Sequence, residues 1–449
     1  MMSLQLALPH QRIAAPPEPN LREEGPGMEN HGRTLGRRYD ALRLRIDVLG
    51  SARRLVDLPP ESDIAPAQWT AIESQLGVSR ARLSARLNRA GRAYLAQTSD
   101  LRAARALNAI LGEIELELAE SFTLFDTYVD ILTQRHAPEL GGLLAGCDAL
   151  ARDAIQRDHP ALVIVEAPLV SCDRGFGART MREGVLTRSG ARNPVPIIQI
   201  PYSRLKEKYN LTSVLHEIGH EVMVRLGLVG SMPRALRAAL KQSGASSELQ
   251  NYYSLWAFEL GPDFWAFCSS GLAAARGISE VLALPPSHAF HVTWTDPHPP
   301  PYLRALINFE CARQTWGSGP WNTWEAEWKE LYRLEDAAPP QLAVLREARA
   351  LVPVVARTLL TARYRTLNGR SIPDLFDLPA LAPDRLARFV RQAEAGSVTF
   401  PTVSPAAQLG IFRLVKERGT LDETKLDELM SRWLLGLGAT AQVTLKKGG

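Results

Sequence analysis

The chain has 449 residues, of which 45% are hydrophobic, and this composition predicts a globular protein with more than one region. Its 52 basic and 48 acidic residues leave a net charge of only +4, which argues against a nucleic-acid or anionic-membrane partner. The sequence has no run of 18 or more apolar residues that would predict a membrane span, and its apolar stretch 4–8 is too short for a secretory signal.

The cysteines bear on the expected compartment. They form no C-x-x-C motif and no close pair along the chain, so we predict buried free thiols. Free thiols are typical of a reducing compartment, and we therefore expect a soluble, cytoplasmic protein. The four residues are Cys147, Cys172, Cys268 and Cys311.

Two regions precede the middle of the chain. Residues 1–35 are rich in proline and glycine, which predicts a disordered tail. Residues 36–160 have the apolar spacing of helices and are predicted to form an N-terminal helical region. Within it, residues 101–135 predict one long amphipathic helix or a pair of helices, whose apolar stripe we assign to core packing.

The segment 75–87 resembles the turn and recognition helix of a helix-turn-helix DNA-binding module. However, Glu73 stands where that motif usually has a small residue, and the local excess of basic residues is modest. We therefore prefer an amphipathic helix with an arginine-rich face, and the DNA-binding module remains the alternative.

A central region, residues 161–320, begins with short β-rich runs. Residues 162–165 and 195–200 are rich in valine and isoleucine and are bounded by prolines and glycines, which predicts two strands. The prolines around the second run favour an edge strand. Such a strand either pairs with an extended peptide or serves only the fold.

The motif H-E-I-G-H at residues 216–220 is the most specific feature of the chain. Histidines four residues apart lie on one helical face, so His216 and His220 can bind one metal ion. Glu217 is rotated by about 100° from His216, which places its carboxylate beside the metal, where it can take a proton from a bound water. An apolar stripe over 211–227 predicts the helix, with Asn210, Thr212 or Ser213 as its cap and Gly227 at its end.

A catalytic zinc needs a third protein ligand, and Glu259 is the best candidate because its neighbours are strongly apolar. Asp263 lies four residues later, and on one helix it would face the free nitrogen of a ligand histidine. Alternatively, Pro262 marks the start of a helix, with Asp263 in its first turn. Glu248 is the second choice as a ligand, and Asp263 itself the third.

A proline-rich segment follows, in which His298 precedes three prolines. Its stiff backbone could hold the imidazole as a donor to the oxyanion of a tetrahedral intermediate. Arg304 could brace the acidic residues of the site or bind a substrate carbonyl. The plain alternative is a proline-rich connector. After Arg304 the chain is again helical, and residues 321–449 are predicted to form a C-terminal helical region in which the tryptophans serve packing.

These three motifs, in this order over residues 216–304, resemble the gluzincin zinc metallopeptidases. Within that group, His298 followed by a proline and by Arg304 is similar to the HtpX-type peptidases, which use a histidine and an arginine at the transition state. Members of that family are embedded in membranes, whereas this chain shows no apolar run of that length.

The helical and β-rich patterns together predict a mainly α (α+β) fold with a small sheet between N- and C-terminal helical regions, and the resemblance implies a zincin-like core. It implies one zinc ion per chain, bound by His216, His220 and Glu259, with Glu217 as general base. Asp263 would support a ligand histidine, and His298 and Arg304 would stabilise the oxyanion. The expected function is a metalloendopeptidase that acts on a protein or peptide substrate.

Three alternative functions remain beside it. The first is a DNA-binding regulator linked to such a peptidase, which depends on the segment 75–87. The second is a zinc hydrolase with a substrate other than a peptide, because an activated water attacks many acyl groups. The third is a metal-free scaffold, which the intact H-E-x-x-H motif argues against.

Overall fold

The protein is described by a computed structural model for residues 28–163, 168–175, 177–186 and 192–448. In these ranges it is mainly helical with a small three-stranded sheet, which confirms the coarse prediction of fold class. The first helices are α1 (Met28–Val48), α2 (Pro66–Tyr94), α3 (Leu101–Thr133), α4 (Pro138–Ile155), α5 (Pro160–Val163), α6 (Thr212–Arg225), α7 (Leu228–Gln242) and α8 (Ser247–Ser270). The later helices are α9 (Leu272–Val281), α10 (Pro286–Ala289), α11 (Pro301–Trp316), α12 (Pro320–Leu331), α13 (Pro339–Thr361), α14 (Pro383–Glu394), α15 (Pro405–Arg418) and α16 (Glu423–Gly448). The strands are β1 (Leu169–Asp173), β2 (Arg179–Met181) and β3 (Ile197–Pro201).

The chain forms two compact units, and the smaller one consists of residues 1–47 and 82–118. Its described part contains α1 and portions of α2 and α3. Arg45 binds Glu115 through two hydrogen bonds of 2.5 and 2.6 Å, and Arg86 binds Glu117 at 2.8 Å. The last residues of the predicted tail, from Met28 onward, belong to α1, whereas residues 1–27 lie outside the described ranges.

The helix-turn-helix, which was the alternative for the segment 75–87, is not formed. The segment lies inside α2, which runs without interruption from Pro66 to Tyr94. Gly77 is a helical residue there, not part of a turn. The reason is that one apolar stripe, with buried Ile72, Leu76 and Leu83, continues through the glycine at helical spacing. The amphipathic helix is therefore the correct interpretation of this segment.

The larger unit consists of residues 48–81 and 119–449 and contains the sheet. β3 lies between β1, to which it is parallel, and β2, to which it is antiparallel. The prediction that residues 195–200 form an edge strand is therefore wrong. Pro196 precedes the strand and Pro201 is its last residue, so neither proline interrupts the ladder. The strand predicted at 162–165 is also wrong where it is described, since Leu162 and Val163 belong to α5.

Helices α6 and α8 form the centre of the larger unit and pack closely on each other. Gly219 of α6 faces Pro262 of α8, and a Cβ atom at position 219 would lie only 2.5 Å from the Cα of Pro262. The two backbones therefore approach each other as closely as they do because residue 219 has no side chain. This contact sets the separation of the two helices that carry the predicted site.

The C-terminal helices belong to the same unit as α6 and α8. α13 packs on α11 and α7, and α16 packs on α4. Trp321, Trp324 and Trp328 are buried, as predicted for packing residues. The four cysteines are buried and free, which confirms the prediction of free thiols. Among the described residues, no helix combines the length and apolar character needed to cross a membrane.

Candidate metal centre

Helix α6 positions the H-E-x-x-H motif. Its apolar residues Leu215, Ile218 and Val222 are fully buried, and the histidines lie on the side that faces the cleft. The rings of His216 and His220 are 4.9 Å apart and nearly perpendicular. The helix ends at Arg225, and the predicted stop residue Gly227 follows with a φ of 63°, which suits glycine. None of the predicted caps binds the first turn, because Leu211 stands at the N-cap position.

Glu259 completes a group of three potential metal ligands with His216 and His220. One ligand atom from each residue lies within 4.8 Å of the others. Glu259 Oε2 is 3.3 Å from Nε2 of His216, and Oε1 is 3.6 Å from Nε2 of His220. The structure therefore directs both Nε2 atoms and one carboxylate at a common point, which is what a shared cation requires.

Helix α8 continues through Pro262 and carries both Glu259 and Asp263. The alternative of a helix start at this proline is therefore wrong. The helix begins at Ser247, where Ser246 Oγ accepts a hydrogen bond of 3.3 Å from the amide of Leu249. Glu259 and Asp263 consequently lie one turn apart on the same face. Glu248 is exposed in the first turn, about 16 Å along the helix axis from Glu259, and it is not part of the ligand group.

Asp263 lies between His216 and Arg304. Its Oδ1 is 2.7 Å from Nδ1 of His216, which is within the range of an ion pair. Arg304 donates two hydrogen bonds to the carboxylate, from Nε at 2.8 Å and from Nη2 at 2.7 Å. Asn308 donates to the carbonyl oxygen of Arg304 at 3.0 Å. These contacts of Asp263 are those expected of a residue that orients a ligand histidine. Arg304 binds the Asp263 carboxylate in a bidentate manner.

His298 lies in the loop before α11, above Glu259. Its Nε2 is 3.5 Å from Oε1 of Glu259, and its side chain is 59% exposed. Asp296 holds the imidazole, because its Oδ1 lies 2.6 Å from Nδ1 and accepts the backbone amide of His298 at 2.9 Å. The loop thus presents Nε2 to the open side of the ligand group.

The charges of the site keep the two carboxylates ionised. Burial opposes ionisation, but His216 and Arg304 outweigh it, so the pKa of Glu259 falls to about 2 and that of Asp263 well below its usual range. Burial would lower the pKa of His216, but the two carboxylates raise it to about 10. Burial and the charge of His216 lower the pKa of His220 to about 4, which leaves it neutral and able to bind a metal.

Glu217 stands beside this group and is 5% exposed. Burial raises the pKa of its carboxyl, against the opposing effects of His216 and Thr180. Thr180 belongs to β2, and its hydroxyl donates to the carbonyl oxygen of Glu217 at 3.5 Å. The edge strand β2 is therefore directly beside the predicted general base. A raised pKa brings a carboxylate closer to the working range of a general base near neutral pH.

A cleft of about 570 Å³ opens onto the ligand group. Its wall is formed by β2, the first turns of α6, one face of α9, and Phe258 of α8. The sequence did not indicate three of its lining residues, Thr180, Arg204 and Asn308, because they meet the site only through tertiary packing. Asp296 had a visible signal: an aspartate two residues before His298 can accept that residue's amide in an Asx turn.

The donor set fits a catalytic zinc ion. Two imidazole nitrogens and one carboxylate oxygen are the three protein ligands of one common catalytic arrangement, which leaves a position for water. The carboxylate near Nδ1 of His216 and the bonds to that carboxylate supply the supporting contacts that such sites have. Comparison with known proteins found no matching family model, no matching curated protein and no matching solved structure.

Proposed function

We propose that the protein is a zinc-dependent metalloendopeptidase whose ligands are His216, His220 and Glu259. The observation that carries the proposal is the convergence of these three side chains beside a buried Glu217, at the wall of an open cleft. The resemblance to HtpX-type gluzincins, and with it a zincin-like core, belongs to the same proposal.

Each residue has a role in this reaction. A zinc ion bound there would act as a Lewis acid and lower the pKa of its bound water to about 7. Glu217 would accept a proton from the attacking water and then deliver it to the leaving nitrogen. His298 presents Nε2 to the developing oxyanion, and Asp296 fixes its ring. Arg304 acts through Asp263, which orients His216.

A peptide is the preferred substrate because an edge strand borders the site. Among the described residues, β2 pairs only with β3, and Thr180 of β2 contacts Glu217. The free edge of such a strand can pair with an extended peptide through main-chain hydrogen bonds. We therefore assign the pairing with a substrate peptide to β2, and not to β3, for which the sequence had suggested it. The alternative DNA-binding regulator depended on a turn in the segment 75–87, and this segment lies within one continuous helix.

Metal analysis and one substitution test the proposal. The purified protein should contain about one zinc per chain and should cleave members of a random peptide library, read by mass spectrometry. Glu217→Gln should keep the zinc but lower kcat by about 10²- to 10⁴-fold, because the base is lost while the ligands remain.

Glu221→Gln is the matched control, because Glu221 lies on the same helix and is also 5% exposed. Its carboxylate binds Arg225 at 2.6 Å, and it does not line the cleft. This variant should keep both zinc and activity. Absence of zinc would refute the metal centre, and normal cleavage by Glu217→Gln would refute the mechanism. Zinc with hydrolysis of simple esters but of no peptide would favour the non-peptide hydrolase.

A further inference from the structure

Arg204 is a buried cation in the wall of the cleft that the proposed mechanism does not use. It lies just after β3, is 6% exposed, and lines the same cleft as His216 and Glu217. Its Nε has no hydrogen-bond partner among the residues that the structure describes. Nη1 is 3.4 Å from Oε2 of Glu207, whose side chain is 52% exposed, so this ion pair is long and open to water.

The acidic groups around Arg204 neutralise its positive charge only in part. Besides Glu207, the groups that favour the Arg204 cation are Tyr209 and Glu280. Glu280 already binds Arg413 at 2.8 Å and Lys416 at 3.4 Å. A guanidinium group stays charged in proteins and offers five N–H donors. Burial without partners for these donors is costly, so a buried arginine beside a cleft favours an anionic ligand.

Arg204 shares its cleft with the first turn of α6, which leads to His216. Thr212 and Ser213, in the first turn of α6, line the cleft together with Arg204. They precede His216 by three or four residues, which is about 5–6 Å along the helix axis. The positive end of the α6 dipole lies at this turn and adds to the attraction of an anion. Ile278 and Leu282 of α9 line the same cleft and can hold the methylene groups of a side chain.

We propose that Arg204 binds a substrate carboxylate beside the scissile bond, so that the enzyme prefers peptides with aspartate or glutamate at one position next to the cleavage site. This inference rests on the proposed peptidase function and deepens it. The carboxylate belongs to a side chain in our proposal, although the C-terminus of a peptide has the same chemistry. Glu207 is displaced from Nη1 when the substrate carboxylate binds.

The test compares matched peptides that differ only at the position next to the bond cleaved, as identified from the library. The wild type should cleave the glutamate peptide about 10- to 100-fold more efficiently in kcat/KM than the glutamine peptide, which is the usual value of a hydrogen bond to a charged group. Arg204→Met should reduce this ratio to about 1, mainly because kcat/KM for the glutamate peptide falls. Arg204→Lys, which keeps the charge but not the fork, should retain part of the preference.

Arg391→Met serves as the control, since Arg391 is exposed on α14 and does not line the cleft. It should keep the wild-type ratio. A wild type that cleaves glutamate and glutamine peptides equally, or an Arg204→Met variant with an unchanged ratio, would overturn the assignment. If only peptides that end beside the cleaved bond are preferred, and their C-terminal amides are not, the carboxylate recognised is the terminal one and the side-chain proposal is wrong.

A binding measurement separates this inference from the proposed function. Fluorescence anisotropy can follow two labelled peptides that are identical except for a central glutamate or glutamine, on zinc-loaded Glu217→Gln protein, with and without Arg204→Met. Tighter binding of the glutamate peptide that is lost with Arg204→Met supports the assignment even if no library peptide is cleaved. Equal binding of both peptides overturns it, whether or not the wild type is a peptidase. Circular dichroism of each variant shows whether a loss reflects unfolding.

Discussion

At the scale of single residues, the buried ion pair between Arg304 and Asp263 stabilises the candidate metal centre. Both side chains are almost fully buried and share two hydrogen bonds below 3 Å. Arg304→Met would leave the Asp263 carboxylate buried without its main cation. We expect the free energy of unfolding of the metal-free protein to fall by about 3–5 kcal/mol, as measured by urea denaturation.

The double variant Arg304→Met with Asp263→Leu provides the control. A buried ion pair replaced by apolar residues is often neutral for stability, so the double variant should recover most of the loss. It should still bind zinc about 10- to 100-fold more weakly than the wild type, because His216 has lost the carboxylate near its Nδ1. An Arg304→Met variant as stable as the wild type would show that water or another cation replaces the guanidinium.

At the scale of elements, the separation of α6 and α8 depends on Gly219. In Gly219→Ala the new Cβ would lie 2.5 Å from Pro262 Cα, which is a backbone atom and cannot rotate away. The helices must therefore move apart. We expect a loss of about 1–3 kcal/mol in thermal or urea unfolding, together with weaker zinc binding, since the ligands lie on both helices.

Gly77→Ala is the matched control, because Gly77 lies inside α2 and a Cβ there meets nothing within 4 Å. This substitution should raise stability by about 0.5–1 kcal/mol through the higher helix propensity of alanine. If both alanine variants behave alike, the close contact at Gly219 does not determine the helix separation.

The elements that local signals define were predictable, and the pairing of strands was not. The apolar stripe and Gly227 predicted α6 nearly to its ends, since helical periodicity lies in adjacent turns. The strand near residue 197 was found, but its place in the sheet was wrong, because the local prolines gave no information about β1 and β2. Likewise, Pro262 was a weak sign of a helix start because packing against Gly219 keeps α8 continuous.

At the scale of the whole molecule, the candidate site gathers side chains from distant parts of the larger unit. His216 and His220 were predictable because two histidines four residues apart on one helix can bind the same metal ion. Glu259 was predictable because the burial of an acidic side chain among apolar neighbours is unfavourable unless a cation or a hydrogen-bonding partner compensates it. Thr180 and Arg204 had no such local mark, because only the fold brings the residues around 180 and 204 to the cleft. Sequence reasoning therefore reached the three residues of the candidate ligand group and Glu217, but not Thr180 and Arg204 in the wall of the cleft.

Because the ligands come from α6 and α8, bound zinc should stabilise the whole of the larger unit. A ligand at 1,000 times its Kd that binds only the folded state adds about 4 kcal/mol to the free energy of unfolding. Zinc should therefore raise the melting temperature of the protein, and a chelator should lower it, as measured by calorimetry. Glu259→Gln should remove most of this dependence, since it takes the anionic ligand from the site.

Glu248→Gln on the same helix is the control for this effect. Glu248 is exposed near the start of α8 and stands outside the ligand group, so the zinc dependence of this variant should equal that of the wild type. Hydrogen exchange should show the zinc-dependent protection in α6 and α8 first, because each ligand ties one of these helices to the ion. If zinc leaves unfolding and exchange unchanged at saturating concentration, the three side chains do not form a metal centre, however well their geometry suits one.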